Sequence, residues 1–151
     1  MYQIAVCEDE ASVREALCQM CGELLSERNI SHEITAFSGV EALESALIAG
    51  AQFDLLCLDI LMEGKSGMEF ARQLRQRDEK TSILFITNSQ EFLKDGYEVR
   101  PIQYLLKPVE RQELERALET DLRLNHQPDT VNIRTGTGIT VLPLNELWYV
   151  E

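Results

Sequence analysis

The sequence predicts an α/β domain in which one parallel sheet carries helices on both faces, and three observations carry that expectation. Five short apolar runs recur along the chain, and a helical pattern follows each of them. The third run, Phe53 to Met62, is almost continuously apolar over the length of a strand, as a strand covered on both sides must be, and near its end it carries a carboxylate, Asp59. The chain has 151 residues, 44% of them hydrophobic, which suits one domain with a real core and leaves room only for a short appendage.

Taken in order, Tyr2 to Val6 is a short strand pattern that runs into the acids Glu8, Asp9 and Glu10. From Ala11 to Arg28 the residues Val13, Leu17, Met20, Cys21, Leu24 and Leu25 recur at helical spacing. The acids therefore stand at the helix amino end, where the dipole favours them. Glu33 to Phe37 gives a second strand, and Gly39 to Gly50 a helix with Val40, Leu43 and Leu47 on one face. After the Phe53 strand comes a loop, Glu63 to Gly67, then a helix that turns Phe70, Ala71 and Leu74 inward. Ser82 to Thr87 is the fourth strand, and a weaker fourth helix is expected over Gln90 to Tyr97. Pro101 to Leu106 is the fifth strand, ending in Lys107 and Pro108, and a fifth helix is expected from about Val109 to Leu124, with Leu114, Ala117, Leu118 and Leu122 on its face.

Composition removes several classes of function. Fourteen basic residues against 26 acidic ones give a formal net charge of −12, which opposes binding to phosphate backbones and to anionic membranes. No apolar run approaches the roughly 20 residues of a membrane-crossing helix, and Met1 leads into a strand pattern, so a cytoplasmic protein is expected. Cys18 and Cys21 have CxxC spacing, but both fall inside a helical pattern without a second ligand pair. Cys7 and Cys57 lie in strand patterns, so all four read as packed thiols rather than a metal or redox site.

The chemistry is expected at one edge of the sheet. A charge at the end of a buried strand cannot stay inside unpaired, so Asp59 should emerge at the carboxyl end, where open α/β sheets bind their ligands. Taken singly, Asp59, Asp9 and Thr87 could be helix caps and Lys107 a solvated charge. Right-handed crossovers bring the carboxyl ends of all strands to the same edge, which then collects Glu8, Asp9, Asp59, Thr87 and Lys107 from four strands. Three carboxylates, a hydroxyl and an ammonium suit a hard divalent cation together with a phosphoryl group. Asp59 is the best-placed nucleophile, and its attack on phosphorus would give an aspartyl phosphate. Mg²⁺ would relieve the repulsion among the acids, Lys107 would act as a point charge on a phosphate oxygen, and Thr87 would donate its hydroxyl.

These residues resemble the receiver domain of two-component response regulators, over Tyr2 to about Asn125. The matching pieces are Glu8 and Asp9, Asp59, Gly67 eight residues later, Thr87, and Tyr104, Lys107 and Pro108. The resemblance implies a flavodoxin-like (βα)5 fold with strand order 2-1-3-4-5. It also implies Mg²⁺ held by Asp9, Asp59 and the backbone carbonyl of Leu61, with Glu8 acting through water, and a cis Lys107–Pro108 bond. A sensor histidine kinase would phosphorylate Asp59, after which Thr87 moves inward and Tyr104 rotates, changing the face formed by the fourth helix, fifth strand and fifth helix. Dimerisation through that face is a further implication. Such a domain is a self-modifying switch, with at most autophosphatase activity, rather than a conventional enzyme. Two positions depart from the pattern: Glu63 stands where proline is usual, and Asn88 where a small residue is usual.

The stretch from Asp129 to Glu151 reads differently. Val131, Ile133, Ile139 and Val141 alternate around Gly136 and Gly138, a hairpin signal, and Leu144 to Val150 is again apolar. It resembles the opening strands of a LytTR-type DNA-binding domain. The expected organisation is a receiver over residues 1–125 and, over 126–151, a linker with the front of a LytTR-like domain, so that DNA would be bound only through the remainder of that domain. The hairpin is also expected either to dimerise the chain or to be poorly ordered. Among other readings, a phosphorylation-independent interaction module would keep the fold, but here no acid and no lysine is lost. A haloacid-dehalogenase-like phosphatase needs a second Asp at position 61, which is Leu61, and a dinucleotide enzyme needs a Gly-rich turn after the first strand.

Overall fold

Leu55–Asp59 (β3) is buried at every position, as its uninterrupted apolar character requires of a central parallel strand. It belongs to a computed structural model that describes residues 1–62, 66–88 and 99–125. Before β3 come β1 (Tyr2–Cys7), α1 (Ala11–Glu27), β2 (His32–Phe37) and α2 (Val40–Ile48). After it come α3 (Gly67–Arg75), β4 (Ser82–Thr87), β5 (Gln103–Leu106) and α4 (Arg111–Leu124). The helix expected over Gln90 to Tyr97, Glu63, and the hairpin after Asp129 lie outside the described residues. The helix labelled α4 is thus the one expected to close the pattern, and it starts two residues later than expected, beyond Pro108 and with Glu110 at its N-cap.

The five strands are parallel in the order β2-β1-β3-β4-β5, as the sequence resemblance implied. Because side chains alternate along a strand, each strand divides its apolar residues between two cores. Ile4 and Val6, Leu55 and Cys57, Leu84 and Ile86, and Leu105 face one core, which α1 and α4 cover with Leu17, Cys21, Leu24, Leu114 and Leu118. Ala5 and Cys7, Leu56 and Leu58, and Ile83 and Phe85 face the other, covered by Val40 and Leu43 of α2 and Phe70, Ala71 and Leu74 of α3. At the edge, β2 is half exposed along its length, whereas β4 is buried throughout.

Helix ends follow local chemistry. The turn after α1 passes through Asn29 at φ 58° and that after α2 through Gly50 at φ 108°, the left-handed conformation that stops a helix. Ser66 caps α3 by accepting from the Glu69 N–H at 3.0 Å. Cys7, Cys21 and Cys57 are buried in the cores as free thiols, and Cys18 is half-buried beside them. Among the described residues no helix is long and apolar enough to cross a membrane.

Candidate functional site

β2 and β3 flank β1 on opposite sides, so the direction of winding reverses there and leaves a crevice beyond the carboxyl ends of β1 and β3. Glu8 and Asp9 follow β1 directly, and Asp59 is the last residue of β3. The Glu8 N–H extends the sheet by one rung, donating to Phe37 O at 3.1 Å. Glu8 and Asp59 are buried, 1% and 5% exposed, while Asp9 is open to solvent. One oxygen from each of the three carboxylates lies within 4.8 Å of the others.

From the far side of the crevice, the end of β5 delivers Lys107. Its ammonium donates to Asp59 Oδ2 at 2.9 Å and forms an ion pair with Glu8 Oε1 at 2.8 Å. The Lys107 N–H donates to Thr87 O at 2.9 Å, which ties the ends of β4 and β5 together, and the Lys107–Pro108 bond is cis, as the resemblance implied. Burial pushes the Glu8 carboxyl above its ordinary range, against the pull of Lys107 and of the Glu10 N–H. Burial also works against the charge on Lys107, but Glu8 and Asp59 outweigh it and hold the ammonium above its usual range.

Two backbone features aim Asp59. The Leu61 N–H donates to Asp59 Oδ1 at 3.2 Å, and the Leu61 side chain, half exposed, stands at the rim. Gly67, the first residue of α3, donates its N–H to Ile60 O at 3.0 Å. A Cβ on Gly67 would fall 2.2 Å from the Asp59 carbonyl oxygen, so only glycine lets the helix start so close to the strand end. Thr87 is fully buried at the end of β4 and Asn88 is exposed. Tyr104 pairs in register with Phe85 and stacks on it, with ring centroids 5.3 Å apart.

The structure therefore brings Glu8, Asp9, Asp59 and Lys107 into one group, with Leu61 and Thr87 bordering it, and sets Tyr104 beside Phe85, two strands from the Asp59 end. Sequence reasoning missed Arg14, whose Nη1 donates to Glu8 O at 2.9 Å and braces the acidic loop. A cation one turn into a helix that begins on three acids was the available signal. With Lys107 opposite three carboxylates, two negative charges remain when all are ionised. The oxygens are hard donors and converge, so the group fits a divalent cation such as Mg²⁺.

The strand order and the placement of acids and lysine at one edge define a CheY-like, flavodoxin-like α/β domain. Residues 4–119 match the response regulator receiver domain, and the chain belongs to that family. It is 31% identical over 160 residues to the positive alginate biosynthesis regulatory protein of Pseudomonas aeruginosa, covering 95% of this chain and 63% of that one. It is 33% identical over 115 residues to the transcriptional regulatory protein HptR of Staphylococcus aureus, covering 76% and 44%. The chain thus spans between 44% and 63% of the length of these relatives. Among solved structures, the response regulator TrrA of Thermotoga maritima in complex with Mg²⁺-BeF superposes with a TM-score of 0.68 at 29% identity, over 81% of this chain and all of that one. A chemotaxis protein of Vibrio cholerae gives 0.67 at 25% identity, over 81% and 99%. Receiver domains bind Mg²⁺ in an acidic pocket, interact with histidine kinases and generally act as regulators rather than enzymes, and Glu8, Asp9 and Asp59 form such a pocket here.

Proposed function

We propose that this receiver accepts a phosphoryl group from a sensor histidine kinase on Asp59 and switches an output carried by the sequence beyond residue 125, regulation of transcription. The observation that carries the reading is the ammonium of Lys107 held between Asp59 and Glu8, beside the exposed Asp9. An Asp59 oxygen attacks phosphorus while the P–N bond to the donor imidazole breaks, and the bonding electrons leave with that nitrogen. Lys107 is already within reach and turns from the carboxylates to a phosphoryl oxygen, as a flexible point charge can. The Leu61 N–H holds the other Asp59 oxygen and so orients the nucleophile.

Asp9, Asp59 and the Leu61 carbonyl would hold Mg²⁺, with Glu8 acting through water; when bound, the ion offsets charge on the transferring oxygens. Thr87 supplies a hydroxyl to the phosphorylated site and Tyr104 reports its state, a bistable change biased by the added charge. That change would reach the face formed by β5, α4 and the segment between β4 and β5, through which two copies would associate. Residues 126–151 are read as a linker and the front of a LytTR-like domain, so DNA binding belongs to the remainder of that domain. The family match stops at residue 119, which supports a receiver that ends close to residue 125.

The test is a small phosphodonor with and without Mg²⁺, with any added mass located on the chain. The parent should gain one phosphoryl group on Asp59 only with Mg²⁺, and Asp59→Asn should gain none. Asp9→Ala should lose Mg²⁺ affinity and labelling together, whereas Lys107→Ala should keep Mg²⁺ affinity and label slowly. Labelling of Asp59→Asn at the parent's rate would refute the assignment.

A further inference from the structure

The carboxylate of Asp121 lies in the last turn of α4 and is fully buried, on the apolar stripe that also carries Leu114, Leu118 and Leu122. Its Oδ2 accepts from the Tyr2 hydroxyl, and its Oδ1 accepts from the Ser82 hydroxyl and from Asn125 Nδ2, the last at 3.1 Å. Tyr2 opens β1 and Ser82 opens β4, so the cluster sits at the amino edge of the sheet, opposite the acidic pocket. Burial, followed by the charge of Asp121, raises the Tyr2 phenol well above its ordinary range, which keeps it protonated and donating.

Apolar residues in place of Tyr2, Ser82 and Asp121 together would fill the same space with no carboxylate to desolvate and no hydroxyl left unpaired, so stability alone does not call for this polar set. What the acid adds is direction. The apolar contacts of Leu114, Ala117 and Leu118 hold α4 broadly, whereas hydrogen bonds to fixed strand ends hold its last turn in one register. A buried carboxylate is tolerated only with its donors in place; once they part, water solvates it better than the core does. The last turn is then either docked with its set of bonds or released as a unit.

We propose that Asp121, with Tyr2, Ser82 and Asn125, is a latch that fixes the end of α4 and so sets where and in which direction the chain leaves the receiver. The chain runs on past Asn125 to Glu151, and its relatives are longer still, so this turn is the junction between the receiver and the segment carboxyl-terminal to it.

Amide hydrogen exchange on the full chain tests the latch, comparing the parent with Tyr2→Phe, Ser82→Ala and the double variant. In the double variant, residues 119–125 should exchange roughly tenfold faster or more, as losing hydrogen bonds to a buried charge implies. Exchange in β3 and in the first turns of α4 should stay within about twofold, and the rate at which a phosphodonor labels the chain should hold. If the double variant does not fold, Tyr2→Phe alone should give the same local pattern more weakly. Faster exchange spread evenly over the sheet and all of α4 would make the cluster ordinary core support and overturn the proposal, as would unchanged exchange in residues 119–125.

Discussion

At the scale of single residues, the pocket depends on close approach as much as on charge. Glu8 and Asp59 are buried acids made tolerable by a shared ammonium and by the Glu10 and Leu61 N–H groups, and the strand end that carries Asp59 is crowded by the start of α3. Gly67→Ala should therefore be costly: a methyl 2.2 Å from a backbone oxygen forces the helix start away from the strand. A loss of about 2–4 kcal/mol is expected, at or above the usual range for overpacking because the clash is with backbone. Urea unfolding measures it, and a loss below about 0.5 kcal/mol would mean the helix start shifts freely. Gly67 could be matched to a motif in the sequence, but what it touches could not be read there. The distance between residues 59 and 67 is a property of the folded chain and not of either residue's type.

At the scale of elements, the short connection from α3 to β4 shows a carboxylate that favours folding through its charge. Asp78 Oδ1 accepts from the Lys80 and Thr81 N–H groups at 2.8 and 3.1 Å, and Oδ2 from the Thr81 hydroxyl at 2.5 Å. Partial burial opposes its charge, but these hydrogen bonds and Arg75 outweigh it and lower its pKa in the folded protein. The folded value is thus below the unfolded one, so the stabilisation is present above the ordinary Asp range near pH 4 and is lost as pH falls through the folded value. Asp78→Ala should cost about 1 kcal/mol at pH 7, and the gap from the parent should shrink by pH 2.5. A gap unchanged with pH would show that the ionised carboxylate contributes nothing. The same Arg75 donates through Nε to Val99 O at 2.6 Å, so the end of α3 also supports the entry to β5. In the sequence Arg75 stands in a polar run, Arg75 to Lys80, after the last inward leucine, and nothing in that run signals the second contact.

For the whole molecule, assembly turns on the residues after the receiver. An isolated hairpin is marginal in water, and Leu142, Leu144, Leu147, Trp148 and Val150 make the last stretch strongly apolar. Exchange of strands between two copies would cover those side chains. Without phosphodonor, the full chain should gain mass with concentration by light scattering or sedimentation, whereas a chain ending at His126 should remain monomeric. Two monomers at every concentration, with Trp148 emission as blue-shifted as in a rigid core, would assign the hairpin to the receiver's own fold.

The alternation of strands and helices, both cores, and the membership of the acidic pocket were legible in the order of residues. Apolar periodicity is a local property, and Glu8, Asp9, Asp59 and Lys107 each stand at the end of a strand whose limits that periodicity marks. Strand order and the cis bond before Pro108 came from resemblance, because neither follows from the pattern of any one segment. Folding in three dimensions was needed to show that Lys107 reaches both Glu8 and Asp59 and that Arg14 braces the Glu8 carbonyl. It was needed too for Asp121, an ordinary acid in a helical pattern, which meets Tyr2 and Ser82 across 119 and 39 residues of chain. Such contacts join positions far apart in sequence, and only the folding of the strands past one another sets their distances and their exclusion from water.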